Sequence, residues 1–226
     1  RPWDLWTKEG DPQPETAEVV GTLEEVMRLN PRHPLALHLY IHAVEASPHP
    51  ERAEQAANQL RLLTPGLGHL THMPSHIDVR LGHWDLGVTS NMRAIEADRT
   101  YRHLSQGQDF YHIYMAHNHH MLAFAATMRG QSELALTAIR EMAEGIPSEW
   151  VAANPLFADG FLAMPVELLI RFGRWDEVLA APQPPENLPL SRALYHCSRG
   201  VAYAALGEVA LARQEQAEFL KAQQKI

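Results

Sequence analysis

The chain lacks several features that assign a sequence to a familiar class of protein. It has one cysteine, Cys197, so an intrachain disulfide and a thiolate metal site are both excluded. Its apolar runs are short, AFAATM for example, and none is long enough to span a membrane. The formal net charge is −8 and the few Lys and Arg residues are scattered, which argues against binding of nucleic acid.

The common short catalytic motifs are also missing. The sequence contains no GxSxG, no glycine-rich phosphate loop, no dinucleotide fingerprint and no HExxH. Cys197 follows His196, but without a placed partner this pair is no convincing nucleophile. Strand-like alternation is hard to find, so no sheet is expected.

What the chain does contain is a succession of amphipathic helical segments. Glycines that end one helix recur at positions 82, 130, 173 and 207, with steps of 48, 43 and 34 residues. Thirty-four is the tetratricopeptide period, and the longer steps fit the same helix pair with insertions. We therefore predict an all-α fold, a tetratricopeptide-like right-handed α-solenoid that forms one domain over residues 1–226. Within it, residues 126–226 read as generic repeats, and residues 99–110 as an insertion that forms a lid.

Histidine is the compositional anomaly. The sequence has 14 histidines, and all but His196 lie between His33 and His120. Three segments place them at helical spacing, so that the residues of each segment share one helix face. The side chains on these faces are His38, His42 and Glu45; His69, His72 and His76; and His117 and His120. Pro74 interrupts the second segment and predicts a kink or a new helix there.

This pattern points to a metal centre in residues 31–125. Neutral imidazole is the commonest metal ligand, and two on adjacent helical turns can share one ion. Seven histidines and one carboxylate suit two ions, or one ion with an acid/base shell. A thiolate-free histidine set favours copper or zinc, with iron possible through Glu45. Glu45 itself has three open roles: metal ligand, partner that orients an imidazole, or catalytic base.

The other distinctive residues have structural interpretations. We expect three methionines to fill the core, Met73, Met115 and Met121. We expect three tyrosines to line the wall of the site, Tyr40, Tyr111 and Tyr114. Two tryptophans, Trp84 and Trp175, are expected to pack against neighbouring helices. Five histidines beside turns or alone are expected at the surface or as helix caps: His33, His49, His83, His103 and His196. His112 and His119 should point away from the face of His117.

The segments HPLALHLYIHAVEAS, HPERA, PGLGHLTHMPSHI and HNHH together resemble a family of bacterial tetratricopeptide-like proteins, largely uncharacterised. The resemblance covers most of residues 31–125, while the C-terminal third matches only as generic repeats. It implies that the seven histidines and Glu45 belong to one site. It also implies an exported protein in which this chain is the C-terminal part, preceded by another helical half.

Together these features predict a metal-dependent enzyme that acts on a small-molecule substrate. The first expectation is an oxidoreductase in which copper or iron activates oxygen. A zinc-dependent hydrolase is the second, with a metal-bound water as nucleophile and Glu45 as base. The third belongs to another class, a tetratricopeptide scaffold that binds a peptide or buffers metal without catalysis.

Overall fold

The structure is a computed structural model that describes residues 4–105, 107 and 109–226. The described residues form no strand, only an isolated bridge between Trp6 and Pro12. The prediction of an all-α fold is therefore confirmed. No helix in this part of the chain has both the length and the apolar character that crossing a membrane requires.

The chain divides into two compact units, one that ends at Gly130 and one that runs from Gln131 to Ile226. The helices of the first unit are α1 (Thr16–Leu29), α2 (Pro34–Glu45), α3 (Glu54–Leu60), α4 (Gly68–His72), α5 (Pro74–Leu81), α6 (Trp84–Leu104) and α7 (Tyr111–Met128), with a 3₁₀ turn at Pro50–Ala53. Those of the second are α8 (Ser132–Glu144), α9 (Ser148–Ala153), α10 (Pro155–Leu162), α11 (Met164–Arg171), α12 (Trp175–Ala180), α13 (Pro189–Ala205) and α14 (Val209–Gln223).

The four predicted glycines do end helices. Gly82, Gly130, Gly173 and Gly207 follow α5, α7, α11 and α13 with φ of 76°, 71°, 66° and 82°. Only glycine adopts this left-handed conformation without a steric penalty, which is why the residue recurs at helix ends. In the second unit the Trp175 ring lies 3.6 Å from the position of a Cβ on Gly173, so packing accounts for this tryptophan as expected.

The core of the first unit joins α1, α2, α3 and α5. Its fully buried side chains include Ile41, Val44, Leu60, Met73 and Ile77. The second unit has its own core around Leu136, Leu169, Val178 and Ala202. Met115 and Met121 are also buried, which confirms that the three methionines fill the core.

The predicted insertion at residues 99–110 is not a loop throughout. Residues 99–104 are the last turns of α6, because the helical pattern that starts at Trp84 continues without a breaker. The remainder connects α6 to α7, and residues 106 and 108 in it lie outside the described part of the chain. Residues 181–188 connect α12 to α13.

Candidate metal centre

Four helices of the first unit carry the eight predicted side chains. His38, His42 and Glu45 lie on α2, and His69 and His72 on α4. His76 is on α5, and His117 and His120 are on α7. Helix α2 packs against α5, while α4 packs against α6 and α7. The helices that carry the eight residues therefore lie in contact with one another or with α6.

Pro74 divides the middle segment. Helix α4 ends at His72, and α5 begins with Pro74 at its first position, where the missing N–H costs no hydrogen bond. The expectation of a new helix at Pro74 is confirmed. Met73 between the two helices keeps helical dihedrals, φ −49° and ψ −40°, so His72 and His76 stay on one face, with their Nε2 atoms 3.0 Å apart.

Three histidines form what we call the first triad: His38, His42 and His69. Each offers one ring nitrogen, and these atoms lie within 4.8 Å of one another. The His38 ring lies 5.0 Å from that of His42 and 4.9 Å from that of His69, centroid to centroid. The Nδ1 atom of His69 is buried and has no hydrogen-bond partner among the described residues. A buried nitrogen of this kind costs free energy unless something binds it.

The second triad consists of His72, His76 and His117, whose ligand atoms also lie within 4.8 Å of one another. The Nε2 of His76 is 3.0 Å from Nε2 of His72 and 3.5 Å from Nε2 of His117. Two nitrogens bound at about 2.0–2.1 Å to one tetrahedral zinc-like ion lie about 3.3 Å apart. The spacing of the second triad therefore fits one shared ion.

Glu45 joins the two triads. Its Oε1 accepts a hydrogen bond from Nδ1 of His42 at 2.8 Å, and its Oε2 accepts one from Nδ1 of His76 at 2.5 Å. A carboxylate only accepts, so each imidazole carries its proton on Nδ1 and a lone pair on Nε2. Carboxylates that hold metal-binding histidines in this way fix both the tautomer and the ring orientation.

Asn91 sets the tautomer of His72 in the same way. The amide Nδ2 of Asn91 donates to the carbonyl oxygen of Gly87 at 2.8 Å, which directs its Oδ1 towards Nδ1 of His72 at 3.0 Å. His72 therefore donates through Nδ1 and keeps a lone pair on Nε2. The hydroxyl of Ser75 lies 3.3 Å from the same Nδ1. Both His72 and Asn91 are fully buried, so this arrangement is fixed by packing as well.

The surroundings favour the neutral form of five of the site's imidazoles, those of His38, His69, His72, His117 and His120. Burial, helped by the neighbouring imidazoles, lowers the pKa of His38 to about 4 and the pKa values of His69 and His117 to about 3. The same causes lower the pKa of His72 well below its usual value, and burial lowers that of His120. Neutral imidazole is the form that binds metal, and these five side chains are in that form at pH 7.

Glu45 carries the opposite charge state. Burial alone would raise the pKa of Glu45, but the hydrogen bonds from His42 and His76 outweigh burial and lower the pKa to about 2. The carboxylate is therefore ionised at pH 7 and places one negative charge between the two triads.

A second carboxylate holds the helices of the site. Asp98 on α6 is buried and accepts hydrogen bonds from the hydroxyl of Tyr111 at 3.1 Å and from Nδ2 of Asn118 at 2.7 Å. The Tyr111 hydroxyl in turn accepts a hydrogen bond from the backbone N–H of His69 at 3.3 Å. A side chain at Gly68 would overlap with the Asp98 carboxylate. Asp98 therefore fixes α4 and α7, which carry four of the seven histidines.

Two predicted residues lie at the edge of this arrangement or away from it. The His120 ring is 5.9 Å from that of His117, and among the described residues His120 belongs to neither triad. Tyr40 is not beside the histidines, because its hydroxyl donates to Glu24 on α1 at 2.8 Å. Tyr114 does line the site, with its ring 4.6 Å from that of His69.

The remaining histidines mostly follow expectation. His33 caps α2 by accepting the N–H of Ala36 at 3.2 Å, while His49, His83 and His103 are exposed. The prediction for His196 was wrong. It is neither at the surface nor a cap, because it lies within α13, largely buried, and its Nδ1 donates to Glu215 at 2.7 Å.

Sequence analysis missed the supporting residues Gly68, Asn91, Asp98 and Asn118. One usable signal lies in α6, where Asn91 and Asp98 share a helix face with the buried Ala94. Polar residues on an otherwise apolar face need buried partners. Comparison of the chain with protein-family models and with curated proteins finds no match.

Proposed function

We propose that this protein is a metal-dependent enzyme with two ions, one held by each triad. The observation that carries the proposal is the tautomer arrangement of the second triad. Hydrogen bonds to Asn91 and Glu45 put protons on Nδ1 of His72 and His76, so two lone pairs face each other across 3.0 Å. Such a contact is repulsive unless a cation lies between the nitrogens.

The donor set favours copper. The two triads offer six imidazoles and no thiolate, and both oxygens of the adjoining carboxylate already accept hydrogen bonds. Imidazole suits copper, zinc and iron, whereas di-iron sites in helical proteins use several carboxylates as ligands. The imidazoles of each triad are therefore sufficient ligands for one copper ion.

Three protein ligands per ion support catalysis rather than a structural role. Structural ions usually have four protein ligands, while catalytic ions keep a position open. The core of the first unit, around Ile41 and Met73, consists of buried apolar side chains, whose packing stabilises the fold. A structural ion is therefore not required there, and we assign the proposed metal a catalytic role.

The reaction that we propose is oxidation of a small-molecule substrate with dioxygen. Copper in an imidazole site supplies the one-electron chemistry that dioxygen requires. His42 and His76 hold the ions, and Glu45 orients both rings and balances charge. With a pKa of about 2, Glu45 is too weak a base for efficient proton abstraction near pH 7.

Oxygen uptake tests this proposal. The protein is loaded with copper, desalted, and mixed with ascorbate as reductant in an oxygen electrode. We expect uptake from the copper form and none above background from the zinc form, since zinc has no redox chemistry. His76→Ala, treated in the same way, should lose uptake, whereas the exposed His83→Ala should retain it. Equal uptake by the copper and zinc forms would contradict the proposal.

A zinc-dependent hydrolase is the second candidate. The observation that favours it is the hydrogen bond from His76 to Glu45, because carboxylate–histidine pairs commonly support catalytic zinc. Hydrolysis of p-nitrophenyl acetate by the zinc-loaded protein, lost in His76→Ala, would replace the first proposal with this one.

The tetratricopeptide-like right-handed solenoid remains our proposal for the arrangement of helices. It is supported by packing between consecutive helices, α6 with α7 and α13 with α14, and by the left-handed glycines that follow α7 and α13.

A further inference from the structure

Three tyrosines form a continuous series of rings beside the first triad. Tyr101 on α6 lies 5.3 Å from Tyr111, which lies 5.6 Å from Tyr114, and Tyr114 lies 4.6 Å from His69, all between ring centroids. Tyr101 is 41% exposed, while Tyr111 is partly buried. The series therefore starts at the surface and ends on a proposed metal ligand.

Packing alone accounts for ring pairs at these distances. It does not account for the buried carboxylate that accepts a hydrogen bond from the Tyr111 hydroxyl. The Tyr111 hydroxyl donates to the buried carboxylate of Asp98 at 3.1 Å. Loss of an electron from a phenol requires that its proton leave at the same time, because the phenol cation is a very strong acid. Asp98 is placed to take that proton and to return it.

We propose that Tyr111 relays single electrons from a soluble one-electron donor at Tyr101, through Tyr114 and His69, to the ion of the first triad. This inference rests on the proposed redox function. In the first step Tyr111 gives one electron to the oxidised ion and its phenolic proton to Asp98. In the second step Tyr101 gives one electron to the Tyr111 radical and its phenolic proton to the solvent at its exposed edge, while the proton on Asp98 returns to Tyr111. In the third step the donor gives one electron to the Tyr101 radical, which takes a proton back from the solvent. The net change is one electron moved from donor to ion, with no net proton transfer.

The test is the rate at which hexaammineruthenium(II) reduces the oxidised copper form of the protein. This complex is an outer-sphere electron donor that does not bind to the copper. Tyr101→Phe is the cleanest variant, because the hydroxyl of Tyr101 bonds to none of the described residues. Tyr111→Phe removes the relay itself. Each should slow reduction by about an order of magnitude, since phenylalanine presents a far higher barrier to oxidation.

Tyr40→Phe is the matched control. Tyr40 is also a buried tyrosine that donates to a carboxylate, that of Glu24, but it lies outside the series. Its variant should be reduced at the wild-type rate. Metal content is measured for all variants. If Tyr111→Phe has lost metal, the reduction rate of Tyr101→Phe decides whether the relay exists.

The outcomes separate the two proposals. Reduction of Tyr101→Phe at the wild-type rate, with full metal content, would overturn the relay and leave the metal enzyme intact. Slower reduction of Tyr40→Phe to the same degree would also overturn the relay. A wild-type copper form that the donor cannot reduce at all would overturn the proposed redox function, and the relay with it.

Discussion

His72 and His76 face each other through Nε2 atoms 3.0 Å apart, although each carries its proton on the other ring nitrogen. The sequence places both residues four positions apart on one helix face, and the helical backbone at Met73 keeps that spacing across Pro74. Asn91 and Glu45 then fix which nitrogen remains available. This pair defines the centre of the proposed metal site.

The first prediction concerns Glu45. Glu45→Gln leaves one amide oxygen to accept a hydrogen bond, and its NH2 group can only donate, so one of His42 and His76 loses its partner. We expect metal affinity to fall by about 10–100-fold, as when comparable supporting residues are removed. Isothermal titration with copper measures this. Glu51→Gln is the control, because the exposed Glu51 accepts from His49 away from the site. Equal affinity of Glu45→Gln and wild type would show that Glu45 supports no bound metal.

The second prediction concerns Gly68. Gly68→Ala forces the Asp98 carboxylate or the start of α4 to move, since the added methyl group overlaps with that carboxylate. We expect the free energy of unfolding to fall by about 1–3 kcal/mol and metal affinity to fall with it. Gly66→Ala is the control, because nothing lies within 4 Å of its Cβ position. Urea unfolding of both variants decides, and equal stability would contradict the role given to Asp98.

The third prediction is a pH dependence of the metal-free protein. In the folded chain the pKa values of His38, His69 and His117 are about 4 or about 3, below the value of 6.5 for free imidazole. The unfolded chain therefore binds more protons below about pH 6.5, and stability falls as pH falls towards the folded pKa values. The contribution of these histidines is fully present above about pH 6.5.

Urea unfolding of the metal-free protein at pH 7 and pH 5 measures this difference. The midpoint should be lower at pH 5, and the difference should shrink in His117→Gln, which removes one of the groups. A midpoint that is unchanged or higher at pH 5 would contradict the assignment of buried neutral imidazoles.

The fourth prediction is that metal removal leaves the helices in place. The core of the first unit contains Ile41, Leu60 and Ile77, which pack without any contribution from the ion. Treatment with a chelator should therefore leave the helical circular dichroism unchanged and lower only the unfolding midpoint, because bound metal stabilises the folded state by mass action. Unfolding at room temperature on chelation would make the ion structural and would exclude the proposed catalytic role.

The sequence was sufficient for the all-α fold and for grouping Glu45 with six of the seven predicted histidines, while His120 belongs to neither triad. Helical spacing identifies faces such as that of His38 and His42, and glycines such as Gly82 mark helix ends, because both signals are local. Pro74 was informative for the same reason. It predicted the helix break, and the structure confirms it.

The sequence could not divide the histidines into two triads. His69 and His72 lie on one short helix, yet His69 joins residues of α2 and His72 joins residues of α5 and α7. That division depends on tertiary packing, which spacing along one helix does not determine. The same limit explains why Asp98 and Asn91 were missed, since each acts on a residue 19 or more positions away. His196 was misplaced because its partner, Glu215, lies on the next helix.

Metal stoichiometry measured by mass spectrometry of the desalted, copper-reconstituted protein tests the central claim most directly. The account predicts about two ions per chain, because each triad supplies the three imidazoles that a catalytic site needs. His38→Ala/His69→Ala and His72→Ala/His117→Ala should each retain about one ion, from the triad left intact. The exposed pair His49→Ala/His83→Ala should retain both. Less than about 0.2 ion per chain in the wild-type protein would contradict the account.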